Sequence, residues 1–339
     1  MKNILIIKTG ALGDVLRTTV ILEGLREKYV GAKIYWLTKK SSVALLDNNP
    51  FIEELYFVSG LVDDIKRRKY DLIISLEEDR VLLQALKGIR FKEWFGIYLD
   101  GKEIKYSPRS SPWNDMSLIS RFKKQVADSL KKSNMLSYPE LLYRMLGLKW
   151  KKQRYKLYLT KKNLQYASLL KKSITDSKNI IGVVSSAGER WPMKSLPAER
   201  LISMIKLMKR KIKDKEEILL LTGPSEFELK QANSIKKACP YIKMHDVKDI
   251  DEFIGIVNLC DVLIAPDTLS MHIGIALSKY VLAYFTVTSA DEIEIYSGKK
   301  IIVNHPDYCS YIKENKKRPN ITDSVDIEEI VSAVAKLID

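Results

Sequence analysis

Continuous apolar runs that end in small-residue loops recur along the chain, and they limit the folds that it can adopt. The first run, residues 3–8 (NILIIK), leads into the loop 9–14 (TGALGD), and apolar residues then follow at helical spacing from Val15 to Tyr29. A segment that is apolar on both faces is typical of a strand in a parallel sheet with helices on each side. The N-terminal sequence therefore predicts a strand, a glycine-containing loop and a helix.

The same layout occurs in both halves of the chain. Further strands are predicted in the first half at 34–37, 55–58 and 72–75. After a polar linker at 171–179, a second series of strands is predicted at 180–184, 217–221, 262–265 and 280–285. Strands that alternate with helices indicate a doubly wound α/β domain.

We therefore expect an α/β protein in which two Rossmann-like domains face one another across a central cleft. The expected first domain covers residues 1–172 and the second covers 173–323. An amphipathic helix at 324–339 is expected to pack back on the first domain.

Length and composition exclude several classes of protein. With 339 residues and 46% hydrophobic content the chain can bury two cores, but no run approaches the roughly 20 apolar residues of a membrane-spanning helix. The N-terminal apolar run is too short for a secretory signal, so we expect a cytoplasmic protein. Cys239, Cys260 and Cys309 are odd in number and widely spaced, which favours neither disulfides nor a zinc site.

The chain is strongly basic, because 57 Lys and Arg residues against 42 Asp and Glu residues give a net charge of +15. Such a charge suits nucleic acid, a phosphorylated glycolipid or an acidic membrane surface. The basic clusters at 66–69, 149–154, 206–215 and 313–318 contain few aromatic residues and match no nucleic-acid-binding module. We therefore expect no nucleic acid partner and favour solvated basic faces, while a membrane-surface patch stays open.

A candidate anion site lies at residues 265–272 (APDTLSMH), where a predicted strand ends at Asp267-Thr268 and a helix begins. The first turn of a helix combines backbone N–H groups that lack intrahelical partners with the positive end of the helix dipole, and both attract a phosphate. His272 follows one turn later and could add a donor on the same side. The alternative is an ordinary capped helix with a half-buried histidine.

In two Rossmann-like domains, the loops at the carboxyl ends of the strands are expected to line the cleft. These loops suit glycosyl transfer from a nucleotide-sugar, because a cation and helix amides would stabilise the departing diphosphate, and a carboxylate would accept the acceptor proton. No metal is expected. One wall would carry Asp14, and the other would carry Lys194, Glu226, Asp267, Thr268 and His272.

Residues 80–152 show a weaker pattern, with a Gly-rich piece followed by polar and aromatic residues and two amphipathic helices. A long polar insertion after sheet strands is a common place for a binding loop, and it suggests Arg109 and Trp113 as acceptor contacts. The alternative is an ordinary surface loop with packing helices.

Four segments in order carry a resemblance to a known family. They are GALGDVL from Gly10, PMKSLPAE from Pro192, TGPSE from Thr222 and PDTLSMH from Pro266. Together they resemble the signature segments of glycosyltransferase family 9, which contains the ADP-heptose:lipopolysaccharide heptosyltransferases. The resemblance implies a GT-B fold and an inverting, metal-independent transfer without a cofactor. It also implies that the first domain binds the acceptor and the second binds the nucleotide-sugar.

The resemblance also assigns roles to residues. Asp14 matches the family's catalytic base, in a loop with Gly10 and Gly13, while Lys194 matches a phosphate-contacting lysine and Glu226 a ribose contact. The segment that would bind the donor diphosphate contains Asp267, Thr268, Ser270, Met271 and His272. The implied donor is an ADP-linked sugar such as ADP-heptose. The implied acceptor is an anionic glycolipid or oligosaccharide of the lipopolysaccharide type, at the inner face of the cytoplasmic membrane.

Three residues depart from the family pattern. Leu269 and Thr286 stand where relatives usually have glycine, and Leu196 replaces an aromatic residue. The Cβ of Leu269 restricts how closely a phosphate can approach the backbone. These departures motivate an alternative, namely a non-catalytic relative that binds a nucleotide-sugar or glycan with the same fold.

Overall fold

The computed structural model describes residues 1–58, 62–174, 179–189, 191–212, 216–309 and 321–338. The basic cluster predicted at 313–318 lies outside these residues, as do parts of the predicted linker (175–178) and of the cluster at 206–215 (213–215). The chain forms two compact units. The first comprises Met1–Tyr158 with Asp291–Glu294, and the second comprises Leu159–Ala290 with Ile295–Asp339.

The first unit alternates strands and helices along most of its length. Its elements are β1 (Asn3–Ile7), α1 (Leu12–Thr18), α2 (Ile21–Lys28), β2 (Lys33–Thr38), α3 (Val43–Leu46), β3 (Glu54–Phe57), α4 (Val62–Arg67), β4 (Lys69–Ser75), α5 (Arg80–Ala85), β5 (Arg90–Asp100), β6 (Glu103–Tyr106), α6 (Ser111–Asn114), α7 (Lys124–Ser133) and α8 (Tyr138–Leu146).

The sheet of the first unit has the strand order β3-β2-β1-β4-β5-β6, and every pair is parallel except β5 with β6. Strand β1 is central and buried from Ile4 to Ile7, as its apolar run predicts. The segment 80–152 differs from the expected loop insertion, since β5 and β6 extend the sheet. Strand β5 is exposed from Arg90 to Glu93, so it lacks the continuous apolar run that marks the inner strands.

Helix α7 is held to the first unit by an ion pair that is almost fully buried. The Lys131 ammonium contacts the Glu292 carboxylate, and the two side chains are only 2% and 8% exposed. The backbone N–H of Tyr138, at the start of α8, donates to the Glu292 carbonyl over 2.9 Å. The segment Asp291–Glu294 therefore belongs to the first unit although it is distant in sequence.

The second unit repeats the architecture with a fully parallel sheet. Its elements are α9 (Lys161–Ile174), β7 (Ile180–Val184), α10 (Ala198–Lys211), β8 (Glu217–Leu221), α11 (Glu226–Ala238), β9 (Lys243–Met244), α12 (Ile250–Leu259), β10 (Val262–Pro266), α13 (Leu269–Ala276), β11 (Tyr280–Phe285), β12 (Gly298–Ile302) and α14 (Ile327–Ile338). The strand order is β12-β11-β10-β7-β8-β9, so β10 lies between β11 and β7.

The observed boundary between the units lies 14 residues before the predicted one, at 158/159 rather than 172/173. Helix α9 belongs to the second unit because it packs on α12, where Asn163 Nδ2 donates to the Asp251 carbonyl over 2.9 Å. Helix α14 belongs to the second unit. Its apolar stripe of Ile330, Val331 and Val334 is buried in the core of that unit against α10. No helix in the described part of the chain is long and apolar enough to cross a bilayer.

We predict that Lys131→Met destabilises the protein by about 3–5 kcal/mol, because it leaves the Glu292 carboxylate buried without its cation. Lys124→Met is the matched control, since it removes an exposed lysine from the same helix. The control should change the free energy of unfolding by less than about 1 kcal/mol. Urea unfolding followed by tryptophan fluorescence measures both. Equal effects of the two variants would contradict the buried pair.

Candidate functional site

In the first unit, the loop that follows β1 is anchored by a buried carboxylate. Glu77, just past the end of β4, accepts hydrogen bonds from the backbone N–H (2.8 Å) and the hydroxyl (2.6 Å) of Thr9. Burial raises the pKa of the Glu77 carboxyl, but the nearby Lys8 ammonium and the Thr9 hydrogen bonds outweigh it and lower the pKa below its ordinary value. Because β1 and β4 are parallel neighbours, their ends meet at one edge of the sheet, and Glu77 fixes the loop there.

Asp14 lies in the first turn of α1, directly after this loop, and its side chain is 36% exposed. Gly10 precedes the helix, and a Cβ built on it would meet no protein atom within 4 Å. Packing within the chain therefore does not require glycine at position 10. Gly13 is itself part of α1.

The Asp14 carboxylate pairs with Arg17, one turn later on the same helix, at 2.8 Å between Oδ1 and Nη2. Arg17 is 13% exposed, and its guanidinium carbon lies 4.1 Å from the ring centre of Tyr138 and 5.4 Å from that of Trp113. Burial alone would lower the pKa of the guanidinium, but the Asp14 carboxylate together with Tyr138, Glu292 and Tyr155 outweighs it, and the pKa is raised. The pair is thus a fixed, charged unit.

Sequence reasoning missed Arg17 and Glu77. Arg17 could have been found from its spacing, because residues three apart on a helix share a face. Glu77 could have been found as an acidic residue just past the end of the apolar strand β4. That strand is the neighbour of β1 in the sheet, and β1 leads into the glycine loop.

The two candidate acceptor residues have structural partners in the first unit. Trp113 packs edge-on against Tyr138, with ring centres 4.5 Å apart, and lies beside both Arg17 and Lys131. Arg109 pairs with Glu93, and its Nη2 donates to the Met145 carbonyl over 3.3 Å. Arg109 also lines a cavity of about 470 Å³, together with Pro112, Leu136, Leu141, Arg144, Met145 and Gly147.

In the second unit, the candidate anion site forms where β10 ends and α13 begins. Thr268 is the N-cap residue in an extended conformation, but its hydroxyl donates to the Pro266 carbonyl over 3.3 Å instead of capping the helix. The N–H groups of the first turn thus receive no side-chain cap, and the dipole adds positive potential. Leu269 occupies the first helical position without a positive φ, so the backbone itself does not demand glycine there.

Three charged or titratable side chains meet beside this helix terminus. Lys194 Nζ lies 3.2 Å from both the carbonyl oxygen and the Oδ2 atom of Asp267. His272 Nε2 lies 3.7 Å from the other carboxylate oxygen of Asp267. All three side chains are less than one-fifth exposed, so the ammonium is held next to the α13 terminus in a partly desolvated position.

The segment that carries Lys194 is fixed to the sheet by hydrogen bonds on both sides of the lysine. The Thr286 hydroxyl, at the end of β11, donates to the Met193 carbonyl over 2.5 Å. The Ser195 hydroxyl accepts from the Ala187 N–H over 2.5 Å. Thr286, which departs from the family pattern, thus helps to position the segment of Lys194.

The remaining donor candidates divide into exposed and buried side chains. Glu226 is exposed in the first turn of α11, whereas Glu228 forms a capping box with Ser225, so Glu226 is the acidic residue that faces solvent. Ser270 is 5% exposed, and Met271 has no exposed surface. The predicted donor contact of Met271 stays a prediction, since the residue presents no surface to solvent.

The structure brings Lys194, Asp267, Thr268 and His272 together in the second unit, and it places Asp14 with Arg17 in the first. An Asp-x-Asp sequence at Asp249 and Asp251 serves structural contacts, since Asp249 caps α12 and both carboxylates pair with Lys162. Within the described residues, no group of three or more His, Cys, Asp or Glu side chains could hold a metal ion.

Comparison with known proteins identifies relatives of the whole chain. The chain is 21% identical to lipopolysaccharide heptosyltransferase 3 of Escherichia coli, over 96% of each chain, and 22% identical to lipopolysaccharide heptosyltransferase 1 of Campylobacter coli, over 99% and 98%. Among solved structures, it is similar to a family 9 glycosyl transferase of Veillonella parvula (TM-score 0.67, 18% identity, 99% and 97% covered). It is equally similar to E. coli ADP-heptose lps heptosyltransferase II (TM-score 0.67, 15% identity, 100% and 98% covered).

The family model for glycosyltransferase family 9 (heptosyltransferase) matches residues 102–321, well over half of the chain. This match contains three of the four segments that carried the resemblance, those from Pro192, Thr222 and Pro266, whereas the segment from Gly10 lies before it. The two α/β units agree with the fold of the solved relatives. The chain therefore belongs to glycosyltransferase family 9 and is a glycosyltransferase of the GT-B fold class, as the sequence predicted.

Proposed function

We propose that this glycosyltransferase transfers heptose from ADP-heptose, with inversion, to an anionic glycolipid or oligosaccharide of the lipopolysaccharide type. The observation that carries the proposal is the cluster of Lys194, Asp267 and His272 at the N-terminus of α13. The relatives support the choice of donor and pathway, since the chain resembles lipopolysaccharide heptosyltransferases and an E. coli heptosyltransferase solved with ADP.

The donor diphosphate suits the α13 terminus because backbone N–H groups and the helix dipole favour a bound anion. Lys194 would add a full positive charge, and Asp267 holds that ammonium in place. Glu226, exposed at the start of α11, would accept hydrogen bonds from the ribose hydroxyls. As the sugar–phosphate bond breaks, negative charge grows on the diphosphate, and these groups would stabilise the transition state more than the ground state.

For the transfer step, we assign Asp14 as the general base. The acceptor hydroxyl oxygen forms a bond to the anomeric carbon of the sugar while its proton passes to the Asp14 carboxylate. The bond between the anomeric carbon and the diphosphate oxygen breaks, and its electron pair leaves with ADP. Because attack and departure occur on opposite faces of the sugar, the anomeric configuration inverts. Lys194 and the helix amides supply the positive charge that the leaving group needs, so the proposed transfer is metal-independent.

We predict that Asp14→Asn lowers the transfer rate by roughly 100- to 10,000-fold, because an amide cannot accept the acceptor proton. The affinity for ADP, measured by calorimetry, should stay unchanged. Asp64→Asn is the control, since Asp64 pairs with Arg67 at the same helical spacing and should have no effect. The transfer rate is measured as ADP release. The wild type should release ADP at the same rate with and without EDTA, because the proposed transfer needs no metal ion. Full activity of Asp14→Asn would disprove the base assignment.

We predict that Arg17 is a positioning residue for Asp14. Arg17→Lys should lower kcat by about tenfold, because lysine keeps the positive charge but lacks the planar guanidinium that fixes the carboxylate. Arg17→Met removes the charge as well and should lower kcat by about 100-fold. The KM for the donor should stay unchanged in both variants. Arg67→Lys and Arg67→Met, at the exposed Asp64 pair, are the matched controls. A purely structural role would lower the melting temperature without the graded loss of kcat.

We predict that Lys194→Met weakens ADP binding by roughly 10- to 100-fold, since a charged hydrogen bond contributes about 1.5–3 kcal/mol. Lys206→Met, which removes an exposed lysine from α10, should bind ADP as the wild type does. Isothermal calorimetry gives both dissociation constants. Unchanged affinity in Lys194→Met would place the diphosphate elsewhere.

A further inference from the structure

Helix α7 is arranged in the reverse of an ordinary surface helix. Charged side chains face the interior of the protein, and apolar side chains face outward. Its buried side chains are Ala127, Asp128 and Lys131, whereas Val126 and Leu130 are exposed. Val126 and Leu130 are four residues apart, so they lie next to one another on the outward side of the helix. The buried Lys131–Glu292 pair explains the inward charge but not the outward apolar side chains.

The apolar exposure continues on both sides of the helix. The described residues contain fifteen large apolar side chains that are exposed. Five of them fall within a stretch of 18 residues, whereas the other ten are dispersed along the chain. We call this region, residues 118–135, the α7 surface. Its exposed apolar side chains are Leu118, Phe122, Val126, Leu130 and Met135.

The charges exposed on the α7 surface have one sign. Asp128 is the single acidic residue from 118 to 135, and it is buried. Two of the exposed bases have acidic neighbours, Arg121 with Asp115 at 3.0 Å and Lys132 with Asp128 at 3.6 Å. The exposed bases are Arg121, Lys123, Lys124 and Lys132.

We propose that the α7 surface docks on a membrane that contains anionic lipid. Apolar side chains gain free energy when they enter the boundary between headgroups and acyl chains, and lysines beside them gain from the negative surface potential. A surface with exposed apolar groups, four exposed bases and no exposed acid is complementary to that boundary on both counts. The inference rests on the proposed function only in that a membrane-bound acceptor explains why docking is useful.

Docking is tested by co-sedimentation of the full chain with vesicles, without donor or acceptor. Vesicles of phosphatidylcholine with 40% phosphatidylglycerol should bind the wild type, and vesicles of phosphatidylcholine alone should bind it at least tenfold more weakly. Because this measurement requires no turnover, an inactive enzyme that still binds would contradict the proposed function and leave docking intact.

The charge contribution is measured with Lys123→Glu/Lys124→Glu. This double variant should lower partitioning onto the anionic vesicles by about 30-fold or more, because each lysine near the surface contributes several-fold. The control is Lys171→Glu/Lys172→Glu, which changes the net charge equally at the exposed end of α9 and should lower binding less than threefold. Equal losses in both would show that net charge alone drives binding and would overturn the proposal.

The apolar contribution is measured with Phe122→Ser/Leu130→Ser. It should lower partitioning by about tenfold, whereas Leu164→Ser/Leu169→Ser, which removes two exposed leucines from α9, should not. All four variants change exposed side chains and should keep the melting temperature of the wild type. Wild-type binding by Phe122→Ser/Leu130→Ser would overturn the proposal. An alternative outcome is that the wild type fails to bind vesicles and self-associates as its concentration rises. If the two serine substitutions abolish that self-association, the surface binds a second copy of the chain, and the membrane proposal is overturned.

Discussion

Pairing of charges away from water is the constraint on which both candidate sites depend. A buried or half-buried charge is costly unless an opposite charge and further hydrogen bonds accompany it. Arg17 meets Asp14, and Lys194 meets Asp267, so each unit keeps a cation and a carboxylate in contact beside a helix terminus. The aromatic rings of Trp113 and Tyr138 enclose Arg17 and leave it little freedom to leave the carboxylate. A pair of this kind costs folding free energy but presents a fixed geometry, which suits positioning of a reactive group.

The departures from the family pattern change contacts more than they change the backbone. Leu269 fits the first helical position because no positive φ is required there, so leucine costs the protein no strain. Its Cβ still limits direct approach to its own N–H, which leaves more of the anion binding to Lys194 and to the N–H groups that follow. Thr286 adds a hydrogen bond to the Met193 carbonyl that glycine could not make. The two changes therefore shift the site toward a more firmly held lysine, which favours an enzyme over the non-catalytic alternative.

The alternation of apolar runs and helices was enough to predict the α/β class, the inner strands and the turn between β10 and α13, because buried parallel strands impose a strong local pattern. Strand β5 was missed since its first four residues are exposed, and edge strands carry little apolar signal. The pairing of Lys194 with Asp267 joins distant segments, as do the contacts of Thr286 with Met193 and of Lys131 with Glu292, and such contacts leave no trace in local spacing. Arg109 and Trp113 were chosen by residue type and by their place in a polar insertion after the sheet strands. The structure gives both of them internal partners, which composition could not reveal.

Helix α7 shows how one buried interaction can create a surface elsewhere. If Lys131 is to reach Glu292, the helix must turn its charged side inward, and the period of 3.6 residues then forces Val126 and Leu130 outward. Exposed apolar groups are a liability for a protein in water unless something covers them. The chain retains four exposed bases around them, and the single acid of residues 118–135, Asp128, is buried. An anionic bilayer satisfies both features at once, whereas a purely apolar partner would leave the bases without a counterpart.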